Sequence, residues 1–124
     1  MTRKEIAELY INLLQKGDME GVISLFSNGG IVHSPIYGIK KASDFYKELA
    51  ADTSDSNLTL NGIFEESDSS RIALYFNFLW TLKNGELVNF DVVDILVFDE
   101  EDKITELRII YDTVISREAV ASLK

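Results

Sequence analysis

Apolar residues in the first part of the chain recur every three or four positions, which is the spacing of one face of an α-helix. This spacing predicts a first helix over residues 3–16. Its apolar stripe consists of Ile6, Leu9, Tyr10, Leu13 and Leu14. Gly17 is a natural stop for that helix, and Asp18 is a good N-cap for a second, short helix over residues 19–26.

A turn and a short strand separate the second helix from a third. The Asn-Gly-Gly sequence at residues 28–30 predicts the turn, and residues 31–34 predict a strand that Pro35 ends. The third helix is predicted over about residues 40–51. Its apolar side consists of Ala42, Phe45, Tyr46 and Leu49. The polar residues 52–57 predict a flexible connection to the next element.

From about residue 58 onward the period of the apolar positions changes to two, which is typical of β-strands. The inward face of a long predicted strand consists of Ile72, Leu74, Phe76, Phe78 and Trp80. Asn84-Gly85 predicts a two-residue hairpin in which both turn positions have positive φ. The return strand covers about residues 87–98, a second hairpin turns at residues 99–102, and a last strand covers residues 103–111.

The order of these elements predicts an α+β fold in which the helices collect on one face of the sheet. A short tail helix from about Ser116 completes it, and the chain length predicts a single domain over residues 1–124. The long strands are apolar on both faces, so Val93, Ile95 and Val97 need a second covering layer. A two-fold homodimer is the simplest source of that layer.

Composition removes several classes of function. The net charge of −9 argues against binding to nucleic acid or to an anionic membrane surface. There are no cysteines and only one histidine, His33, so neither thiolate nor multi-histidine metal sites are expected, and no cofactor is predicted. The charged N-terminus lacks an apolar signal region, and no segment is apolar enough to span a membrane, so a cytoplasmic protein is expected.

One acidic residue, Asp94, interrupts the apolar run at residues 92–98. Burying an unpaired, ionised carboxylate costs several kcal/mol, roughly, even after the surroundings relax. Three interpretations remain open for this carboxyl group. It is paired, with Arg71 or Arg108 as partner, or it is protonated, or it faces a ligand pocket.

Several segments together resemble the SnoaL-like, ketosteroid-isomerase-like and nuclear transport factor 2-like proteins. They are residues 10–26 with the Gly17-Asp18 break, Gly38 followed by Ala42 and Phe45-Tyr46, and residues 94–98 with 103–108. The resemblance implies a cone-shaped roll, in which a curved, mainly antiparallel sheet wraps around the long N-terminal helix and encloses an apolar pocket. It also implies a homodimer formed through the convex sheet face. This fold carries isomerases, cyclases, hydrolases, transport factors and binding modules, so it does not fix a function.

The resemblance to ketosteroid isomerase implies roles for individual residues. In that enzyme a tyrosine and a neutral aspartic acid donate hydrogen bonds to an enolate oxygen while a second carboxylate moves the proton. Tyr10 matches the tyrosine and Asp94 the neutral acid, but Ser34 occupies the position of the base and is no base near neutral pH. Histidine is the side-chain type whose unperturbed pKa lies close to 7, yet His33 faces away from the pocket if Ser34 faces inward, unless Pro35 distorts the strand.

Alternatives of a purely structural kind exist for these residues. Tyr10 could be a core aromatic whose hydroxyl bonds to the backbone, and His33 a histidine at a sheet edge or a dimer contact. Tyr37, which follows the proline, is either a lid or a surface aromatic.

The remaining pocket candidates are apolar and suit a flat, apolar or aromatic small ligand. They are Phe76, Phe78, Trp80, Phe90, Val92, Leu96, Leu107, Ile109 and Tyr111. Two functions fit: an enzyme that stabilises an enolate oxyanion through Tyr10 and Asp94, or a non-catalytic module that binds a small molecule or dimerises.

Overall fold

A curled, open sheet of six strands carries the fold, in the order β2-β1-β6-β5-β4-β3. The computed structural model describes residues 1–124. The strands are β1 (Phe26–Ser34), β2 (Gly38–Lys41), β3 (Thr53–Glu65), β4 (Arg71–Leu82), β5 (Leu87–Phe98) and β6 (Ile104–Ile110). Neighbouring strands are antiparallel except for β1 and β6, which are parallel. The predicted α+β class with a mainly antiparallel, curved sheet is confirmed.

Four helices accompany the sheet, and the first agrees with its predicted bounds. They are α1 (Arg3–Lys16), α2 (Met19–Ser24), α3 (Ala42–Asp52) and α4 (Val114–Ala121). Thr2 and Glu5 form a capping box at the start of α1, and Gly17 ends it in the left-handed conformation at φ 73°. Asp18 then caps α2 by accepting a hydrogen bond from the Gly21 amide, as predicted. None of the four helices combines the length and apolar character that a membrane span requires.

The predictions between residues 24 and 57 need correction, and so does the predicted start of the tail helix. Phe26 belongs to β1, where it pairs with Ile104, and not to the second helix. The glycines at residues 29 and 30 form an irregular part of β1 instead of a turn before it. The tail helix α4 also begins two residues earlier than predicted, at Val114.

Two further corrections concern strands that polar residues concealed. Residues 38–41 form β2, which lies at one edge of the sheet, so α3 begins at Ala42. Residues 53–57, predicted to be flexible, form the start of β3 at the other edge. Polar edge strands lack the apolar alternation that reveals a half-buried strand.

The hairpin at Asn84-Gly85 forms where predicted, but its loop is longer by one residue. Gly85 has φ 86°, whereas Asn84 has an ordinary negative φ. The Gly85 amide donates to the Leu82 carbonyl at 2.9 Å, and the Leu82 amide donates to the Glu86 carbonyl at 2.9 Å. Residues 83–85 therefore form a three-residue loop in which only the glycine needs a left-handed conformation.

Alternation along β4 and β5 divides the sheet into a buried and a partly exposed side, as predicted. The inward side chains of β4, from Ile72 to Trp80, are buried together with the apolar faces of α1 and α3. On the outer side Val93, Ile95 and Val97 are half-buried, and Ile110 is 52% exposed. The concave side of the sheet consequently contains the core and the cavity described next.

Candidate functional site

A cavity of about 50 Å³ lies between the concave side of the sheet and helices α1 and α3. Thirteen of its fifteen lining residues are hydrophobic. A single water needs a cavity of roughly 10–15 Å³. This cavity therefore has room for a few waters, although its walls are mainly apolar. The sequence-predicted residues that line it are Phe76, Phe78, Trp80, Phe90, Ile109 and Tyr111, together with Val92 and Tyr37.

Two of the predicted pocket residues do not reach the cavity. Leu96 and Leu107 are fully buried and oppose each other on β5 and β6, where they fill the core. The sequence had placed them on the correct face of the sheet. The cavity occupies only part of that face, and where it ends depends on the packing of the helices.

Tyr10 and Tyr46 form the polar end of the cavity on the helical side. The two hydroxyl oxygens lie 2.7 Å apart, and both side chains are fully buried. Burial raises the pKa of both phenols well above the ordinary value, so both stay protonated near neutral pH. The Tyr10 hydroxyl therefore bonds to a second phenol. The alternative in which this hydroxyl bonds to the backbone is wrong.

The pair has hydrogen-bonding capacity to spare. Two hydroxyl groups carry two hydrogens, and the bond between the oxygens uses one of them. The other hydrogen belongs to the accepting phenol and is free for a third oxygen. Tyr46 lies on the apolar stripe of α3 that the sequence identified, but only the packing of α3 against α1 brings its hydroxyl to Tyr10.

Asp94 is the carboxyl group of the cavity. It lies in β5 opposite Leu74 and Ile109, is 2% exposed, and its Oδ1 has no hydrogen-bond partner. Desolvation raises the pKa of the Asp94 carboxyl from 3.8 to about 8, so it is protonated at neutral pH.

The predicted alternative, an ion pair between Asp94 and an arginine, is wrong. Arg71 pairs with Glu66, and Arg108 reaches Glu106 at 3.5 Å. Both arginines lie at outward positions of their strands, where alternation keeps them from the interior. Of the three interpretations of Asp94, the structure combines the other two, because the carboxyl is protonated and faces a cavity.

Tyr10, Tyr46 and Asp94 line the same cavity. A negative charge on Asp94 would raise the pKa of both phenols further, which places the three groups within electrostatic reach of one another. The cavity thus has apolar walls and one polar corner. That corner holds a neutral acid and a phenol pair, and both can donate a hydrogen bond at neutral pH.

Ser34 and His33 lie on opposite sides of β1, as strand alternation requires. Ser34 lines the cavity, but its Oγ accepts hydrogen bonds from the amides of Ile36 at 3.2 Å and Tyr37 at 3.0 Å and so shapes the turn after β1. His33 Nε2 lies 2.8 Å from Glu106 Oε1, off the axis of its ring N–H, on the outer side. Pro35 does not turn His33 inward, so His33 is not part of a site built around this cavity.

Tyr37 is not a surface aromatic. Its ring lines the cavity and packs edge-on against Phe45 at 5.7 Å between centroids. Its hydroxyl donates to Asp52 Oδ2 at 2.7 Å, and this carboxylate is 5% exposed. Sequence reasoning missed three further lining residues besides Tyr46, namely Leu14, Phe45 and Leu49. No cluster of three or more His, Cys, Asp or Glu side chains is arranged to hold a metal ion.

Comparisons with known proteins agree on the architecture. A sequence profile of the SnoaL-like domain matches residues 7–107. No curated protein matches the chain.

Solved structures with the same fold share little sequence with it. An NTF2-like protein of unknown function from Burkholderia pseudomallei is 14% identical, with a TM-score of 0.83 over 97% of this chain and 98% of that chain. TerC, co-crystallised with polyporic acid, is 18% identical, with a TM-score of 0.81 over 96% and 98%. A Δ5-3-ketosteroid isomerase from Mycobacterium sp. is 20% identical, with a TM-score of 0.75 over 88% and 92%. At these identities the likeness extends to the fold alone.

The elevated pKa of Asp94 predicts a pH dependence of stability. Between pH 5 and pH 8 the unfolded chain ionises Asp94 while the folded protein keeps it protonated, so its contribution to the free energy of unfolding falls as pH rises. Asp94→Asn lacks this titration, so the variant should gain free energy of unfolding relative to wild type as pH rises. The gain between pH 5 and pH 8 should reach up to about 4 kcal/mol.

Urea unfolding at several pH values measures this shift. Asp91→Asn, on the exposed side of the same strand, is the matched control. Its free energy of unfolding should differ from that of wild type by the same amount at pH 5 and at pH 8. An Asp94→Asn difference that does not change with pH would show that the carboxyl is not protonated in the folded protein.

Proposed function

Because the chain belongs to the SnoaL-like domain family, we propose that its cavity binds a small, mainly apolar compound through a carbonyl or enol oxygen. The phenol pair of Tyr10 and Tyr46 and the protonated Asp94 donate hydrogen bonds to that oxygen. The observation that carries this proposal is Asp94 itself. It is a buried carboxyl with an unpartnered oxygen, in an apolar cavity that also holds a phenol pair with one free hydrogen.

The energetic reason is the cost of unsatisfied polar groups. A buried donor or acceptor without a partner costs about 1–3 kcal/mol, and the cavity contains at least one. A ligand oxygen between the acid and the phenol pair accepts from both, and the apolar walls exclude the water that would otherwise compete. A bound ligand oxygen would thus be the partner that Asp94 and the phenol pair lack.

The same geometry supports carbonyl polarisation. If negative charge develops on the bound oxygen, each fixed donor in a dry site can be worth about 3–4 kcal/mol in the transition state. Asp94 is the only carboxyl that lines the cavity, and it is a donor at neutral pH because its pKa is about 8. We therefore assign an isomerase- or cyclase-type activity in which an enolate oxyanion is stabilised and the proton is taken up by water or by the substrate.

A non-catalytic role is the second candidate, and the position of the base favours it. Ser34 replaces a carboxylate there, its hydroxyl oxygen is engaged by two turn amides, and His33 lies on the other side of the sheet. With no base in the cavity, the same donors would only hold and orient a ligand. Exchange of α-protons in small ketones separates the two roles, because binding alone leaves their rate unchanged.

We further propose that the protein is a homodimer whose two copies meet through the outer, convex side of the sheet. Val93, Ile95 and Val97 on β5 are half-buried in the single chain, and Tyr75 and Ile110 on the neighbouring strands are 38% and 52% exposed. Apolar residues that follow one another across three strands form a continuous surface, and a second copy of the same surface would cover it symmetrically.

Binding of 4-nitrophenol tests the oxygen site. Wild type should bind the ionised form in preference to the neutral one, which increases phenolate absorbance at a pH below the probe's own pKa. Asp94→Leu removes one donor to the charged oxygen, and the double variant Tyr10→Phe/Tyr46→Phe removes the other, so each should weaken binding by about tenfold or more. Asp94→Asn keeps an N–H donor, so its affinity for the probe should fall by less than that of Asp94→Leu.

Tyr75→Phe removes a phenol from the outer side of the sheet and is the matched control, with affinity like that of wild type. The proposal fails if wild type does not bind the probe at millimolar concentration. It fails equally if Asp94→Leu and the double variant Tyr10→Phe/Tyr46→Phe bind as tightly as wild type.

Sedimentation equilibrium tests the dimer. Wild type should sediment as a dimer at micromolar concentration, and Ile95→Glu should be monomeric because a carboxylate in an apolar interface loses its solvation. Val114→Glu adds the same charge at a site that is 70% exposed and should remain dimeric. A wild-type monomer, or a dimer that Ile95→Glu leaves intact, would refute the assignment.

A further inference from the structure

The partial exposure of some lining residues locates the mouth of the cavity. Most of the lining is buried, but five of its residues are half-buried. They are Ser34 at the end of β1, Tyr37 in the turn that follows, Phe90 on β5, Ile109 on β6 and Tyr111 just after β6. The Phe90 and Tyr111 rings stack at 4.2 Å between centroids on one side of this opening. The turn that carries Tyr37 forms the other side.

The cavity is too small to admit a ligand as it stands. An engineered apolar cavity of about 150 Å³ accommodates benzene, whereas this one has a volume of about 50 Å³. A ring-sized ligand therefore enters only if side chains at the mouth move. The contacts that hold those side chains in place decide how readily this happens.

The segment at residues 114–124, which contains α4, is attached at two points to the turn that carries Tyr37 and to the end of α3; we call it the strap. Arg117 Nη2 donates to the carbonyl oxygen of Pro35 at 2.6 Å. Lys124 Nζ donates to Asp52 Oδ1 at 2.8 Å, and Asp52 Oδ2 accepts from the Tyr37 hydroxyl at 2.7 Å. Both fastenings end on the turn that carries Tyr37, directly in the case of Arg117 and through Asp52 in the case of Lys124.

Packing alone holds the strap weakly. Helix α4 has only eight residues, and Val114 and Ile115 in its first turn are 70% and 65% exposed. Its buried residues, Ser116, Ala119 and Val120, are small. Segments with little buried apolar surface open locally at low free-energy cost. The polar fastenings consequently contribute a large share of what keeps the strap closed.

Asp52 is the centre of the second fastening. It is the last residue of α3, where the negative end of the helix dipole disfavours a carboxylate, and it is 5% exposed. The Lys124 ammonium and the Tyr37 hydroxyl supply the donors that such a carboxylate needs. Losing either donor weakens the attachment of the strap or of the Tyr37 ring.

We propose that the strap gates the cavity, and that the Tyr37–Asp52–Lys124 contact is the latch that keeps it shut. Opening the latch frees the Tyr37 ring and the strap, which uncovers the mouth and lets a ligand reach Tyr10 and Asp94. The gating role rests on the proposed function only in that a ligand enters this cavity. The latch itself is a property of the unliganded protein and is tested without one.

Trp80 reports on the latch in the absence of ligand. It is the only tryptophan, it lines the cavity and it is 2% exposed. Tyr37→Phe keeps the ring but removes the donor to Asp52, and Lys124→Met keeps the chain length but removes the ammonium. Both variants should increase the rate constant for acrylamide quenching of Trp80 fluorescence, whereas Tyr75→Phe on the outer side should not. Circular dichroism at the same temperature verifies that each variant is folded.

Stopped-flow binding of 4-nitrophenol gives the second readout. In both latch variants the association and dissociation rate constants should rise together by about tenfold, because a lost hydrogen bond to a carboxylate destabilises the closed state with and without ligand. The affinity should change less than threefold, roughly, since both rates share one opening step. Unchanged quenching in both variants, or an equal increase in Tyr75→Phe, would overturn the latch. Absence of binding by wild type would refute the ligand site, and quenching would then decide the latch alone.

Discussion

The candidate site depends on a carboxyl group that the protein buries without giving it a partner. Asp94 occupies an inward position on a central strand, between Leu74 and Ile109, where every neighbour on the same face is apolar. The free energy of desolvation keeps the group protonated, and protonation turns an acid into a hydrogen-bond donor. A chain selected only for stability would place an apolar residue here, so the polar corner is a feature that stability alone does not explain.

The phenol pair on the helical side of the cavity also has a hydrogen-bonding group without a partner. Tyr10 and Tyr46 satisfy each other with one of their two hydrogens and leave the second for something else. The curled sheet brings α1 and α3 over Asp94, and the large rings in the lining leave a gap of about 50 Å³ between them. We infer that the Tyr37–Asp52–Lys124 contact closes the mouth of this gap.

Much of the fold follows from the sequence, and the failures have a common cause. The bounds of α1 and the long strands β4 and β5 were predictable because strong apolar periodicity and explicit caps mark them. The edge strand β2 and the start of β3 were not, because edge strands with polar side chains look like loops. The extra loop residue near Asn84 likewise depends on the pairing of β4 with β5, which no dipeptide reveals.

The candidate site likewise has features that the sequence predicts and features that it does not. That Tyr10 and Asp94 both turn inward could be inferred from helical and strand periodicity, and so could the separation of His33 from Ser34. The Tyr10–Tyr46 bond and the Tyr37–Asp52–Lys124 contact could not, because each joins residues on different elements. The position of the cavity within the buried face, which leaves Leu96 and Leu107 outside, is set by three-dimensional packing. Local pattern predicts which way a residue faces, whereas its partners depend on how distant segments meet.

The most direct test is a ¹³C NMR titration of the Asp94 side-chain carboxyl, assigned by comparison with Asp94→Asn. We predict a midpoint near pH 8, far from the ordinary carboxyl value of 3.8, with the resonance of a neutral acid at pH 6. A midpoint near pH 4 would mean that the carboxylate is ionised and solvated or paired. In that case the polar corner would not contain an acid that donates a hydrogen bond.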